Sequence, residues 1–566
     1  MNRRRVARKK RNVAIQRRRL MILAGLGVLG YAGLGARAVQ LQALDAEWLA
    51  ARAQVHRSTV RLEPLRGEIH DRHGTLLAGS AEVESVAASP RRISDARSTA
   101  AALARALDLP QKHLRKRLSS GRSFVWIKRW ATPEEADRVR DLGLAGVSLH
   151  PERKRFYPSG LAAAYLGFAG RDGEGLSGLE LAFDAALRGS SASLPLLRNA
   201  HGQRLIRWKG DTNARAGARV VLTLDARLQH YAENLLEQTM QRTRARHATL
   251  VALDPWTGDL LAVAERPTFD PNRFWLEKPS AFRARAFVDV FEPGSTLKPF
   301  GIAMALDAGV VRANDRFDCE QGAWRVGDHV IHDFKPYGAL SVHDIITLSS
   351  NIGAAKVAEQ LGATRLVEGL RAFGFGQSTG SGFPGETPGI LRPLRESQRV
   401  ERANLAFGQG IAVTALQLAA AGATLANGGQ RVSPRLVLRV EGPGGTVEWP
   451  SGLGERVLSE STARSIRAML QDAVARGTGK AAALPQYPVA GKTGTAQKIV
   501  NGSYSKDRFV ASFMGLVPAQ NPRLVVVVVI DEPQGAHTGG QVAAPVFREL
   551  AGFALEQLPL RPRGKT

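Results

Sequence analysis

The chain has 566 residues, enough for two or more domains with sizeable cores, and its 44% hydrophobic and 23% charged content is that of a globular protein. Its net charge of +27 points to an anionic partner, whether nucleic acid, anionic lipid or an acidic polymer outside the cell. A single cysteine, Cys319, excludes any intrachain disulfide, which suits the cytosol and equally a large exported domain whose core needs no staple.

Residues 1–19 hold ten Lys and Arg and no acid, so the rest of the chain carries 68 basic against 51 acidic residues, a net of about +17. Behind this basic arm, Leu20 to Ala36 is an uncharged, largely apolar run. Arg37 can snorkel, so a single transmembrane helix over 20–41 is expected. The positive-inside rule keeps the arm in the cytoplasm and sends everything after the span outside, which removes nucleic acid as a partner. Ala36-Arg37-Ala38 resembles a signal-peptide cleavage site, but the apolar run is long for a signal peptide and the arm heavy, so the anchor reads as uncleaved. Gly25 to Gly30 spells G-x-G-x-x-G; no strand precedes it, and it reads as close helix packing rather than a dinucleotide site.

Residues 42–220 form a second compositional zone. Arg66 to Ala78 reads as strand, tight turn and strand, with Gly74 at the turn. His70, Asp71 and His73 have no second ligand cluster, so no metal is expected. Amphipathic helices follow at Ser98–Leu107 and Thr132–Leu142, then the glycine-rich stretch Gly173–Glu180. With no catalytic constellation, this zone reads as a positioning domain.

From 221 to 558 the pattern tightens. Asp225 can cap a helix that places Leu228, Tyr231, Ala232, Leu235, Leu236 and Met240 on one face. Thr249–Leu253 and Leu260–Ala264 make a hairpin; Val489–Lys498, Phe509–Val517 and Leu524–Ile530 read as three more strands. The unbroken run Val525 to Val529 predicts a central strand buried on both faces, and Ala543–Leu558 a closing helix with Pro545 in its first turn. The expected class is α+β, an antiparallel sheet covered by helices. Residues 559–566 are a short basic tail.

Three short stretches carry chemistry. In Pro293-Gly294-Ser295-Thr296-Leu297-Lys298 a turn leads into an apolar helix, so Ser295 and Lys298 share a face in its first turn. A serine hydroxyl needs a neighbouring base, and a lysine serves if burial and a second positive charge depress its pKa. Ser349-Ser350-Asn351 and Lys492-Thr493-Gly494-Thr495 follow in order. Taken singly, these read as a helix cap, a loop and a strand end; together they read as one site. Lys492 supplies positive charge, and Gly494 leaves room for a substrate backbone to pair along the strand edge. Thr493 or Thr495 offers a hydroxyl to a substrate carboxylate, the N–H groups of Ser295 and Thr495 make an oxyanion hole, Ser349 relays a proton and Asn351 holds a substrate amide. The reaction is acyl transfer through a serine ester, with no cofactor.

The set S-x-x-K, S-x-N, K-T-G resembles that of penicillin-binding proteins and serine β-lactamases. Arg66 to Ala78 resembles the R-G-x-I-x-D-R-x-G-x-x-L-A signature of class B penicillin-binding proteins. Leu253 to Gly258, and Phe407-Gly408-Gln409-Gly410 with Thr414-Ala415-Leu416-Gln417, resemble stretches of their transpeptidase domain. The resemblance implies an elongated pedestal (dimerisation-type) domain over 42–220 and a transpeptidase domain over 221–558. It implies a D,D-transpeptidase that cross-links peptidoglycan stem peptides on the periplasmic side of the bacterial inner membrane and is acylated by β-lactams. Ser295 is then nucleophile, Lys298 base, Ser349 and Asn351 the second motif, and Lys492 to Thr495 the third. Length and the short anchor resemble the division-specific members, which implies a septal role, a lipid-linked glycosyltransferase of the FtsW type and other divisome membrane proteins as partners. The elongation-specific paralogue, a β-lactam sensor and an inactive scaffold are the alternatives. No E-x-x-L-N follows the second motif, and neither Glu386 nor Glu401 has that context, so a slow-deacylating transferase fits better than a hydrolase.

Overall fold

The computed structural model describes residues 3–45, 47–48, 57–62, 64–198, 204–205 and 216–557; the expected basic tail, 559–566, lies outside them. The chain divides into two compact units, Met1–Pro64 with Ser190–Arg215, and Leu65–Gly189 with Ala216–Thr566.

In the first unit the basic arm and the start of the span share one helical backbone. Arg, Lys, Ala and Leu all favour helix and no proline intervenes, so one helix runs from Arg3 to Val39. Val13–Leu44 is long and apolar enough to cross a membrane. Gly25, Gly27 and Gly30 meet no neighbour within 4 Å, so the close packing expected there has no partner among the described residues. Arg57–Leu62, Ala192–Arg198 and Arg204–Leu205 form a small sheet, the first two antiparallel with Arg57 opposite Leu197.

The second unit holds two larger sheets. One takes strands from both ends of the sequence, in the order Gly445–Glu448, Val437–Gly442, Arg219–Leu222, Ile69–His70, Leu76–Ala88 and Val125–Lys128, with Val147–Phe156 alongside Leu76–Ala88. The expected strand, turn and strand is present, with Gly74 at φ +90°. Asp71 organises that turn, accepting from the N–H groups of His73, Thr75 and Ala226. Glu180 is fully buried between two guanidinium groups, accepting from Arg66 Nε at 2.7 Å and Arg155 Nε at 2.6 Å. Arg155 also donates to Gly67 O at 2.7 Å, so this triad ties the start of the unit to the Gly173–Glu180 stretch.

The other sheet has five antiparallel strands: β1 (His247–Leu253), β2 (Leu260–Arg266), β3 (Ala490–Val500), β4 (Ser503–Val517) and β5 (Leu524–Asp531), in the order β2-β1-β5-β4-β3. As the valine run predicts, β5 is central, with Val525 to Val528 wholly buried and alternate side chains feeding two cores. The helices Ala226–Thr243 and Ala544–Gln557 cover one face, joined by Tyr231 stacked on Phe553. Asp225 caps the first as expected, accepting from Arg227 N and Leu228 N. The other face is covered by the fully buried helix Ala415–Ala426 and, beyond it, the helices that carry the first two motifs. The arrangement is α+β, and β3, which carries the third motif, is an edge strand.

Candidate active site

Gly294, at φ +55°, turns the chain after Pro293. Thr296 Oγ1 donates to Pro293 O at 2.8 Å and Leu297 N to Gly294 O at 2.9 Å, closing a 3₁₀ turn over Gly294–Thr296. The α-helix begins only at Lys298. Ser295 therefore sits in the 3₁₀ turn, not in the first α-helical turn as the spacing suggested; Pro299 near the helix start and the left-handed Gly294 account for the tighter entry.

Lys298 and Lys492 are both wholly buried, and both reach Ser349. Lys298 Nζ lies 2.6 Å from Ser349 O, 2.7 Å from Asn351 Oδ1 and 3.2 Å from Ser349 Oγ, three contacts that its protonated form would fill with all three donors. Lys492 Nζ donates to Ser349 Oγ at 2.9 Å and to Thr493 O at 3.2 Å. Burial pushes Lys298 well below the usual lysine range, and the Lys492 charge pushes it further. Burial alone takes Lys492 down to about 7. Two ammonium groups on one hydroxyl repel, so near neutral pH the pair titrates as a unit and shares fewer than two protons. Among the described residues Ser295 Oγ makes no hydrogen bond, which leaves it to a substrate.

The second motif bridges two helices. Ser349 ends Val342–Leu348 in the left-handed region at φ +65°, a conformation that costs a non-glycine residue about 1–2 kcal/mol. Ser350 caps Asn351–Leu361, accepting from Gly353 N. Beneath them lies Asp333, which no motif flagged. It accepts from Ser350 Oγ at 2.6 Å, from Asn351 N and from Ile352 N at 3.1 Å, a carboxylate on a helix N-terminus. Its charge opposes the fall in the Lys298 pKa. Asn351 Nδ2 donates to His332 O at 2.8 Å, which orients the amide so that its oxygen meets Lys298.

The third motif lies against the first. A Cβ on Gly494 would fall 2.3 Å from Ser512 Oγ and 2.6 Å from Pro293 O. The space reserved by this glycine is thus filled by the protein's own turn, not left for a substrate backbone as the sequence suggested. A Cβ on Gly294 would meet Thr495 O at 3.3 Å, so the segments holding the expected oxyanion donors, Ser295 and Thr495, are in contact. Gly408 closes the other side: its O accepts from Gly294 N at 3.1 Å, and a Cβ there would lie 2.1 Å from Gly294 O. Thr493 Oγ1 shares a hydrogen bond with Thr478 Oγ1 at 2.7 Å, and Thr495 Oγ1 accepts from Gly539 N at 3.1 Å. Of the two, only Thr495 is exposed.

Glu292, three residues before Ser295, also escaped the sequence reading. Its Oε1 accepts from Gly410 N at 2.8 Å and from Tyr504 OH at 3.2 Å, and burial raises its carboxyl. No local pattern marks Asp333, Thr478 or Glu292, whose partners lie elsewhere in the chain. Glu386 accepts from Thr379 N and Ser381 Oγ, so it is engaged in its own loop. Glu401 is exposed and accepts from Gln398 Nε2.

Known proteins resemble the chain over most of its length. Residues 248–552 match the penicillin binding protein transpeptidase domain, and residues 61–222 the penicillin-binding protein dimerisation domain. The chain belongs to the class B penicillin-binding proteins. Among these it is 37% identical to the probable peptidoglycan D,D-transpeptidase PenA of Neisseria meningitidis, over 96% of this chain and 93% of that one. It is 34% identical to the peptidoglycan D,D-transpeptidase FtsI of Escherichia coli, over 97% and 93%. Penicillin-binding protein 3 of Mycobacterium tuberculosis, solved in complex with aztreonam, superposes with a TM-score of 0.69 at 30% identity, over 89% of this chain and 98% of that one. With the apolar helix and these relatives, this penicillin-binding protein is a single-pass membrane protein.

Proposed function

We propose that this protein is a peptidoglycan D,D-transpeptidase of the division-specific (FtsI) type, working through an ester on Ser295. The observation that carries the reading is the convergence of two buried lysines on Ser349, one of them three residues after Ser295, whose hydroxyl makes no hydrogen bond among the described residues. Lys298, held neutral by burial and by Lys492, takes the Ser295 proton as Oγ attacks the stem-peptide carbonyl carbon. The oxyanion meets the N–H groups of Ser295 and Thr495, each donor typically worth about 2.7–4 kcal/mol. As the C–N bond breaks, Ser349 passes the proton from Lys298 to the leaving amine. The amine of a second stem peptide then attacks the ester, forms the cross-linking amide and returns the proton to Ser295. Thr493, Gly494 and Thr495 line the edge strand along which an extended peptide pairs, and the exposed Thr495 offers its hydroxyl hydrogen to a terminal carboxylate.

The ten basic residues ahead of the span place the N-terminus in the cytoplasm and the catalytic domain in the periplasm, with a pedestal over 42–220 and the transpeptidase domain over 221–558. A glycosyltransferase of the FtsW type and other divisome membrane proteins are its partners. The test is cross-linking of lipid-linked precursor in the presence of such a glycosyltransferase. Muramidase digestion should yield cross-linked dimers that disappear with Ser295→Ala and with penicillin; monomers alone from the wild-type protein would contradict the activity. Midcell localisation and filamentation on depletion are expected, whereas lateral-wall localisation and cell rounding would assign the protein to elongation.

A further inference from the structure

The helices Ala96–Leu107 and Gln111–Leu118 pack on each other through Leu103, Leu107, Leu114 and Leu118. Leu114 and Leu118, at i and i+4, define the inward face of the second helix, so Lys112, Arg115 and Lys116 face solvent. Residues 91–122 as a whole expose nine cations, seven Arg and two Lys, against two acids, Asp95 and Asp108. Asp95 caps the first helix, accepting from Arg97 N and Ser98 N. Among the described residues none of the nine forms an ion pair. Elsewhere in the unit many arginines are ion-paired, as Arg129 is with Glu152 and Arg140 with Glu84.

Two of the nine are held in place. Arg91 Nε donates to Gly121 O at 2.9 Å, and Arg117 Nη1 to Trp126 O at 3.0 Å and Ile127 O at 3.3 Å. Each keeps further N–H donors for a partner. Both lie at the turn 119–124, which carries Arg122 and ends in Phe124, a ring 43% exposed and edge-on to Trp126 at 5.0 Å.

We propose that this face docks an acidic segment of a partner protein, with carboxylates on the guanidinium forks and an apolar side chain on Phe124. The excess of uncompensated positive charge sets the sign of the partner. The preponderance of Arg over Lys and the pinning of Arg91 and Arg117 fit planar, bidentate carboxylate recognition, and an exposed aromatic beside arginine is the composition of protein interfaces. A lipid surface is met equally well by mobile lysines and has no use for pinned forks.

The test uses the full-length protein in nanodiscs of neutral lipid and a fluorescent twelve-residue Asp/Glu-rich peptide containing one Phe. Anisotropy should show binding that weakens with salt. Lys112→Glu with Arg115→Glu and Lys116→Glu should weaken it at least tenfold, and Arg91→Lys with Arg117→Lys, which keeps the charge and loses the forks, severalfold. Both variants should melt and react with labelled penicillin as the wild type does. Failure of the peptide to bind would overturn the proposal. So would full binding by the Arg→Lys variant together with displacement of the peptide by phosphatidylglycerol vesicles, the result that assigns the face to lipid.

Discussion

Lys492→Met tests the electrostatics of the site most sharply, because it removes one positive charge at nearly constant volume. The ammonium nitrogens of Lys298 and Lys492 lie 3.2 and 2.9 Å from the same Ser349 oxygen, so they are at most about 6 Å apart. Two unit charges at about 6 Å with an effective dielectric constant of 20 repel by about 3 kcal/mol, equivalent to about two pH units. In the wild type this repulsion adds to burial in depressing Lys298. Without Lys492 the Lys298 pKa rises, so the neutral Lys298 proposed as the base appears only at higher pH. The assay is stopped-flow acylation by a fluorescent penicillin between pH 5.5 and 9.5. The acid limb of the second-order rate constant should move up by about two units in Lys492→Met. The rate at pH 7 should fall by up to about 100-fold and recover in part at pH 9. An acid limb that stays in place, or moves to lower pH, would refute the claim that Lys492 keeps Lys298 neutral.

Asp333→Asn removes a carboxylate that favours protonated Lys298, so its acid limb should move to lower pH, opposite to Lys492→Met; the same stopped-flow titration reports it. The weaker acceptor on the N-terminus of Asn351–Leu361 should also cost about 1–3 kcal/mol in urea unfolding. Gly494→Ala forces a Cβ into contact with Ser512 and Pro293, so acylation should fall at least about 100-fold while far-ultraviolet circular dichroism stays unchanged. Glu180→Ala leaves Arg66 and Arg155 buried without their shared partner and should destabilise the protein by about 3–5 kcal/mol, measured by chemical denaturation; a loss under about 1 kcal/mol would show that the triad is not coupled to folding.

The parts of this fold legible in the sequence are those set by local pattern. The valine run marks the central strand, Asp225 announces its helix within three residues, and each motif holds its reactive groups within a few positions. What was hidden depends on contacts across the chain. Glu180 meets Arg66 from 114 residues away, and Asp333 reaches Ser350 and Asn351 across a short strand and the helix Val342–Leu348, with no signature of its own. The role of Gly494 is hidden for the same reason, since Pro293 comes to it only through packing of the edge strand on the first turn. The continuity of the helix from Arg3 is masked in the sequence by the change from a charged arm to an apolar span.

The central claim is that Ser295 is the nucleophile of an acyl-transfer site. Its most direct test is mass spectrometry of the purified protein after brief exposure to a penicillin, beside a Ser295→Ala control. The account predicts a long-lived adduct of one drug molecule on the peptide containing Ser295, absent from the control. Rapid drug turnover without an adduct, or an adduct that persists in Ser295→Ala, would contradict it.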